Sequence, residues 1–202
     1  MPLEREVKLD VSWDYVLPRL DGINGLRSVD RGVRVLDATY WDTADLELLH
    51  AGAGLRHRTT DGARGTWTLK GESARSGDAL LREETEVAGA PEHPPAEVLR
   101  HLPERLRSAR LQPVAVLRTH RHVIDLVDDD DGRWAEVADD RVEVLEGGAV
   151  VSAFREVEVE VAGEGFEQRL QLVVAALRAA GAEAPAVMAK YVRALQALGR
   201  VR

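Results

Sequence analysis

The stretch Met1-Pro-Leu-Glu-Arg-Glu-Val-Lys-Leu-Asp10 places three charged residues two positions apart: Glu4, Glu6 and Lys8. Because successive side chains of a β-strand alternate between its two faces, a strand here carries these charges on one face. The other face is mainly apolar and holds Leu3, Val7 and Leu9, with Arg5 as the polar exception. Taken alone, this pattern is typical of an edge strand whose charged face meets water. The other strands decide between that interpretation and a charged face that points inward.

Composition narrows the class of protein. The 202 residues suit a single domain, residues 1–202, and the net charge of −8 argues against binding to nucleic acid polymers or anionic membranes. No run approaches the ~20 apolar residues of a membrane-spanning helix, and the N-terminus lacks the pattern of a signal peptide. The absence of cysteine excludes disulfides, thiolate metal sites and a cysteine nucleophile. We therefore expect a cytoplasmic protein.

The three lysines of the chain stand against 24 arginines. They are Lys8, Lys70 and Lys190. A compact ammonium fits where a planar guanidinium does not, so a lysine kept in an arginine-rich chain is a candidate for a specific role.

The pattern predicts a mainly antiparallel β-protein with helices, an α+β fold. After the first strand we expect strands over residues 26–40, 53–60, 65–71, 80–88, 113–127, 133–145 and 150–162. Asp61-Gly62 and Gly147-Gly148 are hairpin signals, and residues 128–132 are expected to form a turn. Expected helices cover residues 18–22, 44–50, 95–108 (which Pro103 would split), 166–177 and 187–198. Such a sheet is large enough to close on itself.

Charged residues recur at the same parity in the later strands. The sets are Arg56 and Arg58; Lys70; Arg82, Glu84 and Glu86; at least one of Arg118 and Arg121; Glu136 and Asp140; and Glu156, Glu158 and Glu160. These faces either meet water or line the inside of a barrel, and periodicity is the same in both cases. Carboxylates clustered opposite arginines and lysines are what a metal-bound polyphosphate requires, because basic groups bind phosphate oxygens and hard oxygen ligands bind Mg²⁺.

The order of these motifs resembles that of the CYTH superfamily, the triphosphate tunnel metalloenzymes. The matching segments are Glu4-x-Glu6-x-Lys8, Tyr40-Trp41-Asp42-Thr43, Leu55-Arg56-His57-Arg58, Thr68-Leu69-Lys70-Gly71, Arg82-Glu83-Glu84-Thr85-Glu86, Arg118 to Arg121, Glu136 to Asp140, Arg155-Glu156-Val157-Glu158 and Ala189-Lys190-Tyr191. Together they span essentially the whole chain. The first motif alone would be weak, whereas the ensemble is specific.

The resemblance implies an eight-stranded antiparallel β-barrel, or tunnel, with a charged lumen and flanking helices. It also implies a stand-alone bacterial-type CYTH domain that is a metal-dependent triphosphatase, using Mg²⁺ or Mn²⁺. The partner would be a small-molecule triphosphate or polyphosphate, either inorganic triphosphate or a nucleoside or thiamine triphosphate, and the protein would be a monomer or homodimer. The alternatives are a class IV-type adenylate cyclase and a non-catalytic module that binds polyphosphate or nucleotides.

The resemblance also implies roles for individual residues. The catalytic set is Glu4, Glu6, Lys8, Glu84 and Glu86. The substrate-binding set is Lys8, Arg56, Arg58, Lys70, Arg82, Arg118, Arg121 and Lys190. The metal-binding set is Glu4, Glu6, Glu136, Asp140, Glu156 and Glu158. Which of Glu84 and Glu86, and which of Glu136 and Asp140, reaches the metal is left open, and Asp139 faces away unless its strand bulges. His57 and His120 lie at the opposite parity from their neighbouring arginines, so we expect them in packing or at the surface.

Overall fold

The computed structural model describes residues 3–71, 74–76, 79–102, 104–128, 132–161, 167–184 and 189–201, with the backbone alone for residues 3, 4, 74–76 and 79–82. Its strands are β1 (Leu3–Asp10), β2 (Arg27–Asp42), β3 (Gly54–Thr60), β4 (Thr66–Lys70), β5 (Ala74–Ser76), β6 (Ala79–Ala88), β7 (Gln112–Val127), β8 (Arg133–Glu146) and β9 (Ala149–Val161). Its α-helices are α1 (Glu47–His50), α2 (Ala96–Leu99), α3 (Glu167–Ala179) and α4 (Lys190–Ala197). Two short 3₁₀ helices cover Ile23–Gly25 and Glu104–Leu106.

The strands form one antiparallel sheet that closes on itself. Its order is β1-β9-β8-β7-β2-β3-β4-β6, and β6 pairs back with β1. The short β5, which the pattern did not predict, lies on the same side of β6 as β4, since Lys70 stands opposite Glu84 and Ala74 opposite Leu81. In the described chain, β4 and β5 therefore share one position, and the predicted eight-stranded barrel is confirmed.

Apolar packing shows which face of each strand points inward. Val7 and Leu9 of β1 are fully buried in one cluster with Val173 and Leu177 of α3. Each such side chain contributes about 2 kcal/mol through burial. Because this apolar face lies beneath a helix on the outside, the alternate residues of β1 point into the barrel. A second cluster lies on the outside around α2. A third packs α4 against inward-facing residues of the strands, including Ala38, Tyr40 and Leu117, which also line the cavity.

The Tyr40-Trp41-Asp42-Thr43 segment joins β2 to two helices. Asp42 is completely buried and accepts hydrogen bonds from the backbone N–H groups of Leu48 (2.8 Å) and Leu49 (3.0 Å) in α1. It also accepts one from the Tyr191 hydroxyl of α4 at 2.8 Å, and the Tyr191 ring stacks on Tyr40 with centroids 4.9 Å apart. These contacts fix the start of α4 against the barrel.

The helix predictions need correction in several places. No helix covers residues 18–22; a turn and the 3₁₀ helix Ile23–Gly25 follow instead, because Gly22, Asn24 and Gly25 adopt positive φ angles that interrupt helical geometry. The predicted helix 44–50 is reduced to α1. The predicted helix 95–108 is divided into α2 and the 3₁₀ helix Glu104–Leu106.

Several predicted segments reach beyond the described residues. These parts are Pro103, residues 129–131 of the predicted turn, residue 162 at the end of the last predicted strand, Phe166 at the start of one predicted helix and residues 187–188 of the other. The two C-terminal helices are confirmed over α3 and α4. At the hairpins, Asp61, Gly62, Gly147 and Gly148 all have positive φ angles, as the turn signals predicted. None of the described helices combines the length and the apolar character that crossing a lipid bilayer requires.

Candidate functional site

The barrel encloses a cavity of about 670 Å³ whose lining is sorted by charge. Its carboxylates lie on four adjacent strands, β6, β1, β9 and β8, which we call the acidic arc: Glu84, Glu86, Glu6, Glu158, Glu160, Glu136 and Asp140. The facing strands β7, β2, β3 and β4 carry the basic arc: Arg121, Arg34, Arg56, Arg58 and Lys70. Two lysines break the separation, because Lys8 of β1 and Lys190 of α4 lie on the acidic side.

Three carboxylates form a buried group at the β8–β9 ladder, which we call the carboxylate cluster. Asp140 stands opposite Glu156, and Glu158 is the next residue of β9 that faces inward. Carboxylate oxygens of the three residues lie within 4.8 Å of one another. Asp140 and Glu156 are 0% exposed and Glu158 is 8% exposed. Such proximity requires nearby cations.

Four side-chain cations contact the carboxylate cluster: Lys190, Arg121, Lys8 and, at 3.5 Å from Glu156, Arg193. The Lys190 ammonium lies 2.8 Å from Asp140, 2.5 Å from Glu156 and 2.7 Å from Glu158. Arg121 donates to both oxygens of Asp140 (2.8 and 2.6 Å) and to Glu158 (2.5 Å). Lys8 donates to Glu158 and lies 3.3 Å from Glu6. Charge is therefore balanced within the cluster, as a buried ionic network requires.

The pKa values in the cluster follow from this competition between burial and charge. Burial would raise the pKa of Glu158, but Lys190, Lys8 and Arg121 hold it well below its ordinary value. The pKa of Asp140 is lowered for the same reason, with burial opposed by Lys190 and Arg121. Burial prevails at Glu156, whose pKa is raised. Burial would lower the pKa of Lys190, but the three carboxylates raise it, so the ammonium stays charged.

The basic arc is only partly paired, because Lys70 and Arg121 contact carboxylates of the acidic arc. Within the described chain, no ion pair joins Arg56 or Arg58 to an acidic side chain, and Nε of Arg56 is buried without a hydrogen-bond partner. Repulsion from Arg56, together with burial and the Arg121 charge, lowers the pKa of Arg58 to about 10. An anion bound between these guanidinium groups would relieve the repulsion.

Most of the predicted site residues with described side chains converge on this lumen. Lys70 is ion-paired with Glu84, and Glu86 accepts a hydrogen bond from the Thr68 hydroxyl at 3.2 Å. Glu136 lies 3.7 Å from Arg121. Both members of each pair left open, Glu84 with Glu86 and Glu136 with Asp140, line the cavity. Glu4 and Arg82 stand opposite each other in the β1–β6 ladder, but only their backbones are described.

Arg118 is the exception, and its prediction as a site residue is corrected by its position. It lies three residues before Arg121 and so faces the outside of β7, where it is exposed and donates to Asp37 at 2.8 Å. Asp139 also faces outward, as expected for a strand without a bulge there, and pairs with Arg155 at 2.7 and 2.9 Å. The two histidines have the packing and surface positions predicted: His57 contacts Trp67 and Gly89, and His120 is exposed.

Two basic residues near the site were missed by the sequence reasoning. Arg34 lines the cavity and stands opposite Arg121 across the β2–β7 ladder. Counting back by twos from Tyr40 places it on the inward face of β2. Arg193 lies one helical turn after Lys190 and contacts Asp10 at 2.6 Å and Glu156 at 3.5 Å. No local pattern signals that contact.

Sequence comparison identifies the family. The profile of the CYTH domain matches residues 2–191, and the chain belongs to the CYTH domain family. Two uncharacterized proteins of Mycobacterium tuberculosis, MT2285 and Rv2226, are each 32% identical over 152 residues, which is 75% of this chain. That match covers 29% of each relative, so this chain spans less than a third of their length.

Solved structures share the fold of this chain. HpAC1 from Hippeastrum, an adenylyl cyclase candidate described as having a dominant triphosphatase activity, superposes with a TM-score of 0.63 at 17% identity. The alignment covers 98% of this chain and 97% of that one. An adenylate cyclase candidate from Bacillus halodurans gives a TM-score of 0.59 at 22% identity, covering 96% and 98% of the two chains. At these identities the likeness is one of fold.

Proposed function

We propose that this protein hydrolyses a phosphoanhydride bond of inorganic triphosphate or a small organic triphosphate in a reaction that depends on a divalent metal ion. One observation carries the proposal: an acidic arc and a basic arc face each other across a single cavity. A metal-bound triphosphate has this same division of charge, with phosphate oxygens for the basic arc and a cation for the acidic arc.

The basic arc would bind and orient the triphosphate chain. Arg56, Arg58 and Arg121 offer planar guanidinium groups that bind phosphate oxygens through paired hydrogen bonds, and Lys70 adds a point charge. Their positive charge also stabilises the negative charge that shifts toward the leaving phosphate oxygens during cleavage. The proposal receives further support from Arg58, whose pKa is lowered by repulsion from Arg56 and by burial.

The acidic arc has the donors that Mg²⁺ or Mn²⁺ requires. The oxygens of Asp140, Glu156 and Glu158 converge within 4.8 Å, and Oε2 of Glu156 is buried without a hydrogen-bond partner. These residues would hold the ion, with Glu136 and Glu6 on the neighbouring strands. A divalent ion held there supplies Lewis-acid neutralisation of charge on the phosphate oxygens. The carboxylate cluster fits a hard cation because all of its donors are oxygens.

A water molecule is the proposed nucleophile, and a carboxylate of the lumen would orient it. Glu86 and Glu6 line the cavity on adjacent strands, β6 and β1, that face the basic arc. Either carboxylate can accept a proton from water as the new bond to phosphorus forms.

The cavity offers little for recognition of a nucleobase. Among the described lining residues the aromatic rings are Tyr40 and Tyr191, and these stack on each other at an interplanar angle of 6°. This arrangement favours recognition of the phosphate chain over recognition of a base. The triphosphatase activity named for HpAC1 also favours a triphosphatase over a cyclase.

The test is phosphate release from tripolyphosphate, ATP and thiamine triphosphate by metal-stripped protein with and without Mg²⁺ or Mn²⁺. We expect metal-dependent release that Glu158→Gln abolishes. Glu143→Gln is the matched control, because Glu143 lies at the outward parity of the same sheet and should retain wild-type release. Formation of cyclic AMP from ATP would favour a cyclase, and tight binding of intact tripolyphosphate with metal present would favour a non-catalytic module.

A further inference from the structure

The ammonium group of Lys190 occupies the centre of the carboxylate cluster. It contacts one oxygen from each of the three residues, at 2.8 Å (Asp140), 2.5 Å (Glu156) and 2.7 Å (Glu158). The same oxygens of Glu156 and Glu158 are directed at Lys8, which sits beside the cluster at 3.9 Å from Glu156. Lys190 is thus the cation that touches every member of the set.

The backbone does not favour a cation at this position. Lys190 is the first residue of α4, and the N-terminus of a helix carries partial positive charge that repels an ammonium. Ala189, which precedes it, supplies no side-chain cap. The carboxylates, rather than the helix, therefore hold the ammonium where it is.

We infer that Lys190 is a built-in competitor for the divalent ion, and that the ion binds the carboxylate cluster only as the Lys190 ammonium leaves it. The inference rests on the proposed function, from which it takes the divalent ion. The three carboxylate oxygens cannot contact an ammonium and a metal ion at the same point, because both cations require contact distances of about 2–3 Å. The two occupants exclude each other.

Displacement of the Lys190 ammonium would couple binding of the metal ion to binding of the triphosphate. An ammonium released from Asp140, Glu156 and Glu158 is still confined to the start of α4, which lines the cavity. There it becomes available to phosphate oxygens, so a bound anion compensates for the lost carboxylate contacts. The metal alone should bind weakly, and triphosphate should tighten it, with Lys190 as the link between the two sites.

The first test measures Mn²⁺ binding to metal-stripped protein by electron paramagnetic resonance, without any triphosphate. Lys190→Gln should bind Mn²⁺ at least about tenfold more tightly than the wild type, because a neutral amide competes poorly with a dication for carboxylates. Arg118→Gln is the matched control: it removes one positive charge from β7 but on the outer face, where Arg118 pairs with Asp37. Its affinity for Mn²⁺ should stay within about twofold of wild type. Equal affinities for Mn²⁺ in the two variants would overturn the inference.

The second test uses the wild-type protein and so does not depend on folding of a variant. With only three lysines in the chain, isotope-labelled lysine gives a small set of side-chain signals, assigned with a Lys70→Arg protein and a Lys8→Arg protein. Mg²⁺ is added until calorimetry shows that the metal site is full. This should shift the Lys190 signal and leave the Lys70 signal in place. A Lys190 signal that is unchanged at full Mg²⁺ occupancy contradicts displacement. Neither readout involves hydrolysis, so a protein that releases no phosphate would reject the proposed function separately.

Discussion

Asp140 and Glu156 stand directly opposite each other on β8 and β9, and both side chains are completely buried. Their pKa values nevertheless move in opposite directions. At Asp140 the burial that raises the pKa is outweighed by Lys190 and Arg121, whereas at Glu156 burial prevails. The two carboxylates thus differ in how firmly they hold negative charge, although they share one site.

This difference predicts unequal costs of neutralisation. Asp140→Asn should lower the free energy of unfolding by about 3 kcal/mol, because it leaves the buried Arg121 and Lys190 without a full partner. Glu156→Gln should cost only about 1 kcal/mol, since burial raises the pKa of Glu156 and so makes its charged form less favourable than that of Asp140. Urea unfolding of metal-free protein measures both values. Equal losses for the two variants would contradict the opposite pKa shifts.

Acid should destabilise the metal-free protein. Asp140 and Glu158 have folded-state pKa values below their ordinary values of 3.8 and 4.5, so the unfolded chain binds protons first as the pH falls. Their contribution to stability is present above the ordinary values and is lost as the pH falls through the lower folded values. Glu156, with its raised pKa, works in the opposite sense and reduces the effect.

We expect the free energy of unfolding to fall by about 1–3 kcal/mol between about pH 5 and pH 2. Unfolding by urea at a series of pH values provides the measurement, with Asp140→Asn as the variant that should show a shallower fall. A free energy of unfolding that rises toward pH 3 would be inconsistent with the lowered pKa values.

Arg34 should contribute to triphosphate binding, whereas Arg118 should not. Arg34 lines the cavity opposite Arg121, while Arg118 pairs with Asp37 on the outer surface. Arg34→Gln is expected to raise KM for tripolyphosphate by about tenfold, the loss of one charge-assisted contact. Arg118→Gln should leave KM unchanged in the same phosphate-release assay. A larger effect from Arg118→Gln would mean that the substrate reaches outside the lumen.

Arg58 is predicted to stabilise the complex with triphosphate and to destabilise the free protein. Repulsion from Arg56, burial and Arg121 lower its pKa to about 10, so its charge is unfavourable when no anion is present. Arg58→Gln should raise the free energy of unfolding by about 1 kcal/mol and weaken tripolyphosphate binding by about tenfold. Denaturation and calorimetry measure the two effects. Arg64→Gln, at an exposed position, is the control and should change neither quantity.

Local alternation was sufficient to predict which charges share a face. Glu6 with Lys8, Arg56 with Arg58, and Glu156 with Glu158 follow from the two-residue period of a strand; five of the six line the cavity, and Glu156 is buried beside Glu158. The period could not say which face is inside. That was decided by α3, whose Val173 and Leu177 pack on Val7 and Leu9 from more than 160 residues away in the chain.

Long-range contacts and exposed apolar residues account for what was missed. Val33 is 64% exposed, so apolar character does not mark the inward face of β2, on which Arg34 lies. The place of Lys190 among Asp140, Glu156 and Glu158 depends on how α4 docks, which no strand pattern encodes. The helix expected at residues 18–22 failed because Gly22 and Gly25 take positive φ angles.

The closure of the barrel by β1 has a consequence for the order in which the chain is made. Lys8 meets Glu158, a partner 150 positions later in the sequence. At 5–20 residues per second, the ribosome needs roughly 8 to 30 seconds to add that many residues. During this time the apolar face of β1 lacks its β9 neighbour, and the carboxylates of β8 and β9 do not yet exist to receive the lysine. The charged lumen is therefore a late product of synthesis, completed when the C-terminal strands emerge.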